Sequence, residues 1–223
     1  MSSETIGIVG AGGMGTGITR RLTAAGHVVT ITDTNPDTAV ATAAQSGAGQ
    51  SGRARAGSLS EVLEAGIVVL ALWYPGTVEF ANNHRDSLAG KIVVDIANPL
   101  DATYTGLTVA PTTSAAEELA KALPDSAVVK AFNTVPAPTL LAGEVEGAAL
   151  DTFVASDDAS AKLAVLDMLQ GSGLRALDAG ALENSRLLER LTAFGIELGQ
   201  RHGLGFTFGI KYLPTRTITV ASH

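Results

Sequence analysis

Glycine dominates residues 6–17, "IGIVGAGGMGTG", where six of twelve positions lack a side chain. The stretch follows a short apolar run and leads into residues 13–26, whose apolar positions recur at helical spacing. Gly10, Gly12 and Gly15 form the pattern G-x-G-x-x-G at this junction. In such a setting the first glycine permits a tight turn, the second leaves room for a pyrophosphate, and the third lets the helix approach the strand.

The start of this helix is a predicted anion site, because unpaired N–H groups and the helix dipole both favour negative charge there. We therefore predict a dinucleotide-binding loop made of six consecutive residues: Gly10, Ala11, Gly12, Gly13, Met14 and Gly15. A glycine-rich turn that binds nothing is the alternative.

Short runs rich in valine and isoleucine alternate with longer amphipathic stretches. This alternation is typical of an α/β fold, here a Rossmann-type, doubly wound and mostly parallel sheet with a small helical C-terminal unit. Strands are predicted at residues 5–9, 28–32, 67–72, 92–95, 127–132 and 152–155. Further helices are predicted at residues 36–46, 60–65, 76–87 and 113–123.

The C-terminal part begins after these strands. A helix at 159–169 and a strand-like run at 174–180 precede a strongly periodic helix at 182–201. We predict a dinucleotide-binding domain at residues 1–156 and a small capping unit at 157–223.

Asp33 ends the second predicted strand. A carboxylate there accepts hydrogen bonds from the adenosine ribose and repels a 2′-phosphate, which favours NAD. Thr34 and Asn35 beside it are neutral donors and belong to the same predicted site. A purely structural role for Asp33, in a turn or as a helix cap, is the alternative.

A glycine-rich loop is predicted at residues 45–57, "QSGAGQSGRARAG". Its Arg53 and Arg55 can fold over a 2′-phosphate, so NADP stays open beside NAD.

Two more predicted strand ends face the same edge of the sheet. "LALWYPG" places Leu72, Trp73 and Tyr74 past one strand, and "VVDIANPL" places Asn98 and Pro99 past the next. Because ligands of open α/β sheets bind at the carboxyl ends of strands, these loops are predicted to wall the nicotinamide half of the site. For Trp73, simple packing is the alternative.

Composition excludes several other classes. The chain has no cysteine, and its four histidines show no ligand spacing, so no metal site is predicted. A net charge of −7 with only 15 Lys+Arg argues against a nucleic-acid partner. No leader is visible and no segment approaches the roughly 18–20 apolar residues of a membrane span, which predicts a cytoplasmic protein with no membrane partner.

Three longer motifs complete the picture: "VVKAFNTVPA" at 128–137, "LDAGALENSRLLERLT" at 177–192 and "FGIKYL" at 208–213. Together with the glycine-rich start, they resemble the deazaflavin-dependent NADP reductase family. Members of that family pass hydride between NADP and the 8-hydroxy-5-deazaflavin coenzyme F420. The resemblance spans nearly the whole chain.

This resemblance implies NADP as cofactor, coenzyme F420 as small-molecule redox co-substrate, and a deazaflavin ring lying in a cleft against the nicotinamide. It implies that ten residues contact that ring or close its pocket: Asn133, Thr134, Val135, Pro136, Ala137, Ser185, Arg186, Gly209, Ile210 and Lys211. No catalytic side chain is expected, because direct hydride transfer needs two stacked rings and a dry cleft. The family has Ser-Arg where this chain has Asp33-Thr34, and commonly His at the position of Asn133, so NAD and NADP both stay open.

Two other functions fit the same residues. A reductase of a small carbonyl or imine needs a proton donor, for which the candidates are Tyr74, Tyr104, Tyr212, Lys130, Lys211 and His84. A non-catalytic redox sensor needs only the dinucleotide. The apolar stripe of the last helix is expected to pack either on the Rossmann core or on a second copy in a homodimer; it consists of Leu187, Leu191, Phe194 and Leu198.

Overall fold

The computed structural model describes residues 5–47, 49–104 and 106–215. At its centre is a six-stranded parallel sheet in the order β3-β2-β1-β4-β5-β6. The strands are β1 (Thr5–Val9), β2 (Val28–Thr32), β3 (Arg53–Ala56), β4 (Ile67–Leu70), β5 (Ile92–Asp95) and β6 (Ala127–Lys130). Successive strands are added on one side of β1 as far as β3 and on its other side from β4 onward. The boundary between β1 and β4 is the switch point of a doubly wound sheet. The predicted fold class is confirmed.

Helices cover both faces of this sheet. They are α1 (Gly13–Ala24), α2 (Pro36–Gly47), α3 (Leu59–Leu63), α4 (Gly76–Asn83), α5 (Arg85–Leu88), α6 (Ala115–Ala122) and α7 (Ala137–Ala142). Alternate residues of β4 enter two different core layers. Ile67 and Val69 pack in the layer that α1, α2 and α7 complete. Val68 and Leu70 pack in the layer of α3, α4 and α6, so this strand is apolar on both faces.

The C-terminal part contains a second, smaller sheet. A hairpin of β7 (Glu144–Val145) and β8 (Ala148–Ala149) leads to β9 (Asp151–Val154), α8 (Ala159–Met168) and β10 (Arg175–Asp178). β9 and β10 pair in parallel, and an isolated bridge joins Ala155 to Lys130 at the end of β6. A short 3-10 turn (Leu182–Asn184) then leads into α9 (Ser185–Arg201). The predicted domain boundary after residue 156 falls between β9 and β10, which pair with each other. The division into two domains there stays a prediction.

Every predicted strand is present, although β4 and β6 end two residues earlier than predicted, at Leu70 and Lys130. The predicted helix at 76–87 is divided into α4 and α5. Helix α7 and the β7–β8 hairpin were not predicted, because each is too short to show a period.

The prediction of a loop at residues 45–57 is wrong at 45–47 and 53–56 and correct at 49–52. α2 extends to Gly47, and Arg53–Ala56 form the edge strand β3. Its Arg-Ala-Arg-Ala sequence has the two-residue period of a strand, with the arginines exposed and the alanines half-buried. The surrounding glycines hid this period, and one of them, Gly52, is required because a Cβ there would collide with the carbonyl of His27.

The apolar stripe of α9 was predicted to pack either on the Rossmann core or on a second copy. In the structure it does not pack on the core. Leu187 is 65% exposed and Phe194 is 55% exposed. The helix instead buries a neighbouring face that includes Leu188, Glu189 and Ile196. Within the part of the chain that the structure describes, none of the helices has the length and apolarity to cross a bilayer.

Candidate dinucleotide and co-substrate site

The glycine loop between β1 and α1 is built by steric necessity at two of its positions. Gly10 has φ +100°, and a Cβ on it would lie 2.5 Å from the carbonyl oxygen of Ala71. A Cβ on Gly15 would collide with the carbonyl of Gly10. A Cβ on Gly12 would meet nothing within 4 Å. The fold itself therefore does not require Gly12 to be bare, and the space beside it fits a pyrophosphate.

Helix α1 begins at this open space. Gly12 is its N-cap and supplies no side-chain hydrogen bond, and the first turn holds no acidic residue. The N–H groups of the first turn have no partner within the helix, so they point a partial positive charge at the loop. These features fit the diphosphate of a dinucleotide. Ala137 of α7 borders the same loop, with its Cβ 3.2 Å from where a Cβ on Gly13 would stand.

Asp33 lies beside the glycine loop, just past β2. Its Oδ2 accepts a hydrogen bond from the N–H of Ala11 at 2.7 Å, and its Oδ1 accepts one from the N–H of Asn35 at 3.0 Å. Desolvation alone would raise the pKa of Asp33, but these bonds and one from Thr34 hold the pKa below its ordinary value. Asp33 is thus both a turn residue and a fixed negative charge where a ribose would bind.

The two arginines of β3 do not form the predicted phosphate clamp. Arg53 is paired with Val28, at the amino end of β2, whereas Asp33 follows the carboxyl end. Arg55 donates a hydrogen bond to Glu61 of α3 at 2.6 Å. Arg55 is therefore neutralised by a partner of its own, and Arg53 lies at the opposite end of the strands from Asp33.

Two residues of the loop after β4 have different surroundings: Leu72 lies against the glycine loop, and Tyr74 binds a residue of α6. Leu72 approaches Gly10, with its Cδ2 3.3 Å from where a Cβ on Gly10 would stand. Tyr74 donates a hydrogen bond from its hydroxyl to Glu118 of α6 at 2.6 Å. Desolvation, together with the hydrogen bond and charge of Glu118, raises the pKa of Tyr74 to about 12. Tyr74 is accordingly unsuited to donate a proton to substrate near neutral pH.

The strand ends of β5 and β6 are joined by side-chain amides. Asn133 donates from Nδ2 to Oδ1 of Asn98 at 3.0 Å, and Asn98 donates from its own Nδ2 to the carbonyl of Asn133 at 2.9 Å. Thr192 of α9 donates to the same carbonyl at 3.1 Å. The predicted wall after β5, which includes Pro99, and the predicted ring loop that starts at Asn133 therefore lie together, and Thr192 of α9 touches the ring loop.

Several predicted pocket residues have structural partners instead. Arg186 forms a bidentate ion pair with Glu117 of α6, with its Nε at 2.8 Å. Lys211 pairs with the buried Asp151 at 3.0 Å. Ser185 is fully buried, and its hydroxyl has no hydrogen-bond partner among the described residues. The assignment of the whole pocket stays a prediction.

The remaining pocket residues lie in two packed segments. Thr134 and Val135 are almost fully buried, and Pro136 is the N-cap of α7. Gly209 and Ile210 belong to the segment after α9. A Cβ on Gly209 would lie 2.8 Å from Leu150, and the side chain of Ile210 rests on Gly195 of α9.

The structure contains a buried ion triad at the carboxyl ends of β5 and β6 that the sequence analysis did not predict. Lys130 Nζ donates to Asp95 at 2.8 Å, to Glu189 of α9 at 2.7 Å and to the carbonyl of Ala97 at 2.5 Å. All three charged side chains are completely inaccessible to solvent. Glu189 also accepts the N–H of Ala115, the first residue of α6. A lysine inside the apolar run "VVKAF" was the signal for such a partner, since buried charges are paired.

The triad carries one positive and up to two negative charges. Desolvation raises the pKa of Glu189, and together with the negative charge of Asp95 it outweighs the lowering by Lys130. For Lys130, the desolvation that lowers its pKa is outweighed by the two carboxylates, so its pKa is raised. Lys130 is therefore a buried, charged tie between the sheet and α9, and it is inaccessible to a substrate.

Fold and glycine loop together define a Rossmann-type fold with the glycine pattern that is typical of dinucleotide-binding proteins. Residues 5–99 match the model of the family described as "NADP oxidoreductase coenzyme F420-dependent". The predicted resemblance to that family is confirmed.

Individual relatives are consistent with this resemblance. The chain is 36% identical over 146 residues to the F420-dependent NADP reductase of Methanocaldococcus jannaschii, which covers 62% of this chain and 64% of that relative. It is 29% identical over 202 residues to the F420-dependent NADP reductase of Methanothermobacter marburgensis, covering 85% and 89%. A crystal structure from Arthrobacter sp. FB24, described as a candidate F420-dependent NADP reductase, superimposes with a TM-score of 0.80 at 27% identity, covering 96% and 100%. The alignment with the first relative thus spans less than two thirds of that protein.

Proposed function

We propose that this chain transfers hydride directly between a nicotinamide dinucleotide and a deazaflavin of the coenzyme F420 type. The observation that carries the proposal is the contact between the two predicted binding loops. Ala137, at the end of the ring loop, lies against Gly13 of the phosphate loop. A ring held by residues 133–137 therefore adjoins a dinucleotide held by residues 10–15, which is the proximity that hydride transfer needs.

The chain's own residues bind and orient. The glycine loop and the first turn of α1 hold the pyrophosphate, and Asp33 accepts hydrogen bonds from the ribose. Asn98, Asn133 and Thr192 fix the loops at the ends of β5 and β6. When bound, the nicotinamide and deazaflavin supply the redox chemistry themselves.

A carbonyl or imine substrate is less compatible with the site, because three predicted proton donors are occupied. Lys130 is buried in the ion triad, Lys211 pairs with Asp151, and the hydroxyl of Tyr74 donates to Glu118. This favours a reaction between two rings over one that needs an acidic side chain.

We also propose a homodimer in the cytoplasm as the working form, and the exposed apolar stripe of α9 supports the dimer. Leu187 and Phe194 are more than half exposed, and Leu198 is 38% exposed. Apolar side chains aligned on one helix face gain stability when a second copy covers them.

A titration with NADH, NADPH and oxidised 8-hydroxy-5-deazaflavin, followed by nicotinamide absorbance, tests the activity. We expect nicotinamide oxidation only when the deazaflavin is present. Tight dinucleotide binding without any turnover would identify a sensor and overturn the proposal. Turnover with a small carbonyl or imine in place of the deazaflavin would overturn it as well.

A further inference from the structure

Three aromatic side chains form a row at the carboxyl edge of the sheet. Trp73 and Tyr104 lie edge to face, with ring centroids 6.3 Å apart and an interplanar angle of 65°. Tyr104 and Phe206 repeat this arrangement at 5.9 Å and 77°. The three residues come from the loop after β4, the loop after β5 and the segment after α9. The row therefore connects both walls of the candidate site to the C-terminal segment.

Two of the three side chains in the row are largely exposed to solvent. Trp73 is 72% exposed and Phe206 is 43% exposed. Tyr104 has φ +61°, a left-handed conformation that is rare for an aromatic residue. Contiguous exposed apolar surface marks a binding site, and strained backbone is concentrated at such sites.

The segment that carries Phe206 is anchored without it. The N–H groups of Leu204 and Gly205 both donate to the carbonyl of Gly199 in α9. Phe208 packs where α9 has glycines, within 3.2 Å of where Cβ atoms on Gly195 and Gly199 would stand. Further along, Lys211 and the N–H of Tyr212 bind Asp151. The ring of Phe206 is thus free for a role other than holding the segment in place.

We propose that Trp73, Tyr104 and Phe206 form an aromatic clamp that binds the planar ring of the second substrate. This inference rests on the proposed function, which supplies a deazaflavin as that ring. An edge-to-face contact covers at most one face of a ring, so Trp73 and Phe206 each keep a face on which a conjugated ring can stack. The clamp selects a flat tricyclic ring over a small carbonyl compound, because only a large ring covers several of these side chains at once.

The first test replaces Phe206 with alanine. Loss of one stacking partner is expected to raise KM for the deazaflavin about tenfold. KM for the dinucleotide and the melting temperature should not change. Leu204→Ala is the matched control, since Leu204 is 49% exposed on the same segment but lies outside the row. A KM for the deazaflavin equal to that of the control, or a raised KM for the dinucleotide alone, would overturn the clamp.

The second test uses fluorescence, because Trp73 is the one tryptophan among the 223 residues. 8-Hydroxy-5-deazaflavin should quench Trp73 emission in the wild type, with about tenfold weaker binding in Phe206→Ala. Quenching without nicotinamide oxidation would support the clamp and refute the proposed function. Turnover without quenching, with Phe206→Ala behaving as wild type, would leave the proposed function standing and refute the clamp.

Discussion

Replacing Lys130 with methionine removes the cation that Asp95 and Glu189 share. Both carboxylates are fully buried, so the variant leaves up to two negative charges without a partner in a dry interior. Breaking a buried pair in this way costs about 3–5 kcal/mol of unfolding free energy. For a chain of this size, that corresponds to a fall in Tm of roughly 6–20 °C.

Thermal and urea unfolding of Lys130→Met measure this loss at pH 7. Lys121→Met is the matched control, because Lys121 is exposed on α6 and its removal should change stability by no more than about 0.5 kcal/mol. Glu189→Gln should be close to neutral in the wild type, since it leaves a one-to-one pair of Lys130 and Asp95. In the Lys130→Met background, the same change should restore a large part of the lost stability.

The pH dependence gives an independent check. The pKa of Glu189 is raised in the folded state, so its protonation contributes stability that is complete below pH 4.5 and is lost as pH rises through the raised value. Lys130 lowers this pKa, so Lys130→Met raises it further, and the variant gains more stability on acidification than the wild type. The deficit of Lys130→Met should therefore shrink as pH falls toward 4.5. A deficit no larger than that of Lys121→Met, or one that grows on acidification, would refute the description of the triad.

Four other variants address the dinucleotide loop, the ribose position and the C-terminal ion pair. Asp33→Ser with Thr34→Arg removes a repulsive charge and adds a phosphate partner worth about 1.5–3 kcal/mol, so the ratio of kcat/KM for NADPH over NADH should rise tenfold or more; an unchanged ratio would remove Asp33 from the account. Gly12→Ala should keep the wild-type Tm but lose dinucleotide binding in calorimetry, whereas Gly15→Ala should unfold, because only the second Cβ meets backbone; equal melting curves would contradict this. Asp151→Asn should lower the unfolding free energy by about 1–3 kcal/mol at pH 7. Desolvation of Asp151 is outweighed by its donors and its pKa is lowered, so this difference should fade as pH drops below 3.8; a difference that persists there would argue against the charge.

The sheet could be predicted because its strands are covered on both faces. Continuous apolar runs such as Ile67–Leu70 have few other stable placements, and the glycine loop fixes where the first strand ends. Asp33 was also predictable, since its position at the end of β2 follows from the order of the elements alone.

Other features depend on contacts that are distant in sequence. Strand β3 exists because β2 offers it an edge, and four residues of alternation among glycines are too weak a signal. The buried face of α9 is less apolar than its exposed stripe, because Glu189 and Thr192 on it are satisfied by Lys130 and Asn133. A hydrophobic pattern cannot anticipate polar groups whose partners lie about 60 residues away.

Isotope tracing tests the central claim most directly. NADPH and NADH, each carrying deuterium at the transferable C4 position, would be incubated in separate reactions with the protein and oxidised 8-hydroxy-5-deazaflavin, and the reduced product analysed by mass spectrometry. Direct transfer between two adjacent rings predicts one deuterium from at least one of the two nicotinamides in the reduced deazaflavin ring. A reduced deazaflavin that takes this hydrogen from solvent, or none formed at all, would contradict the account.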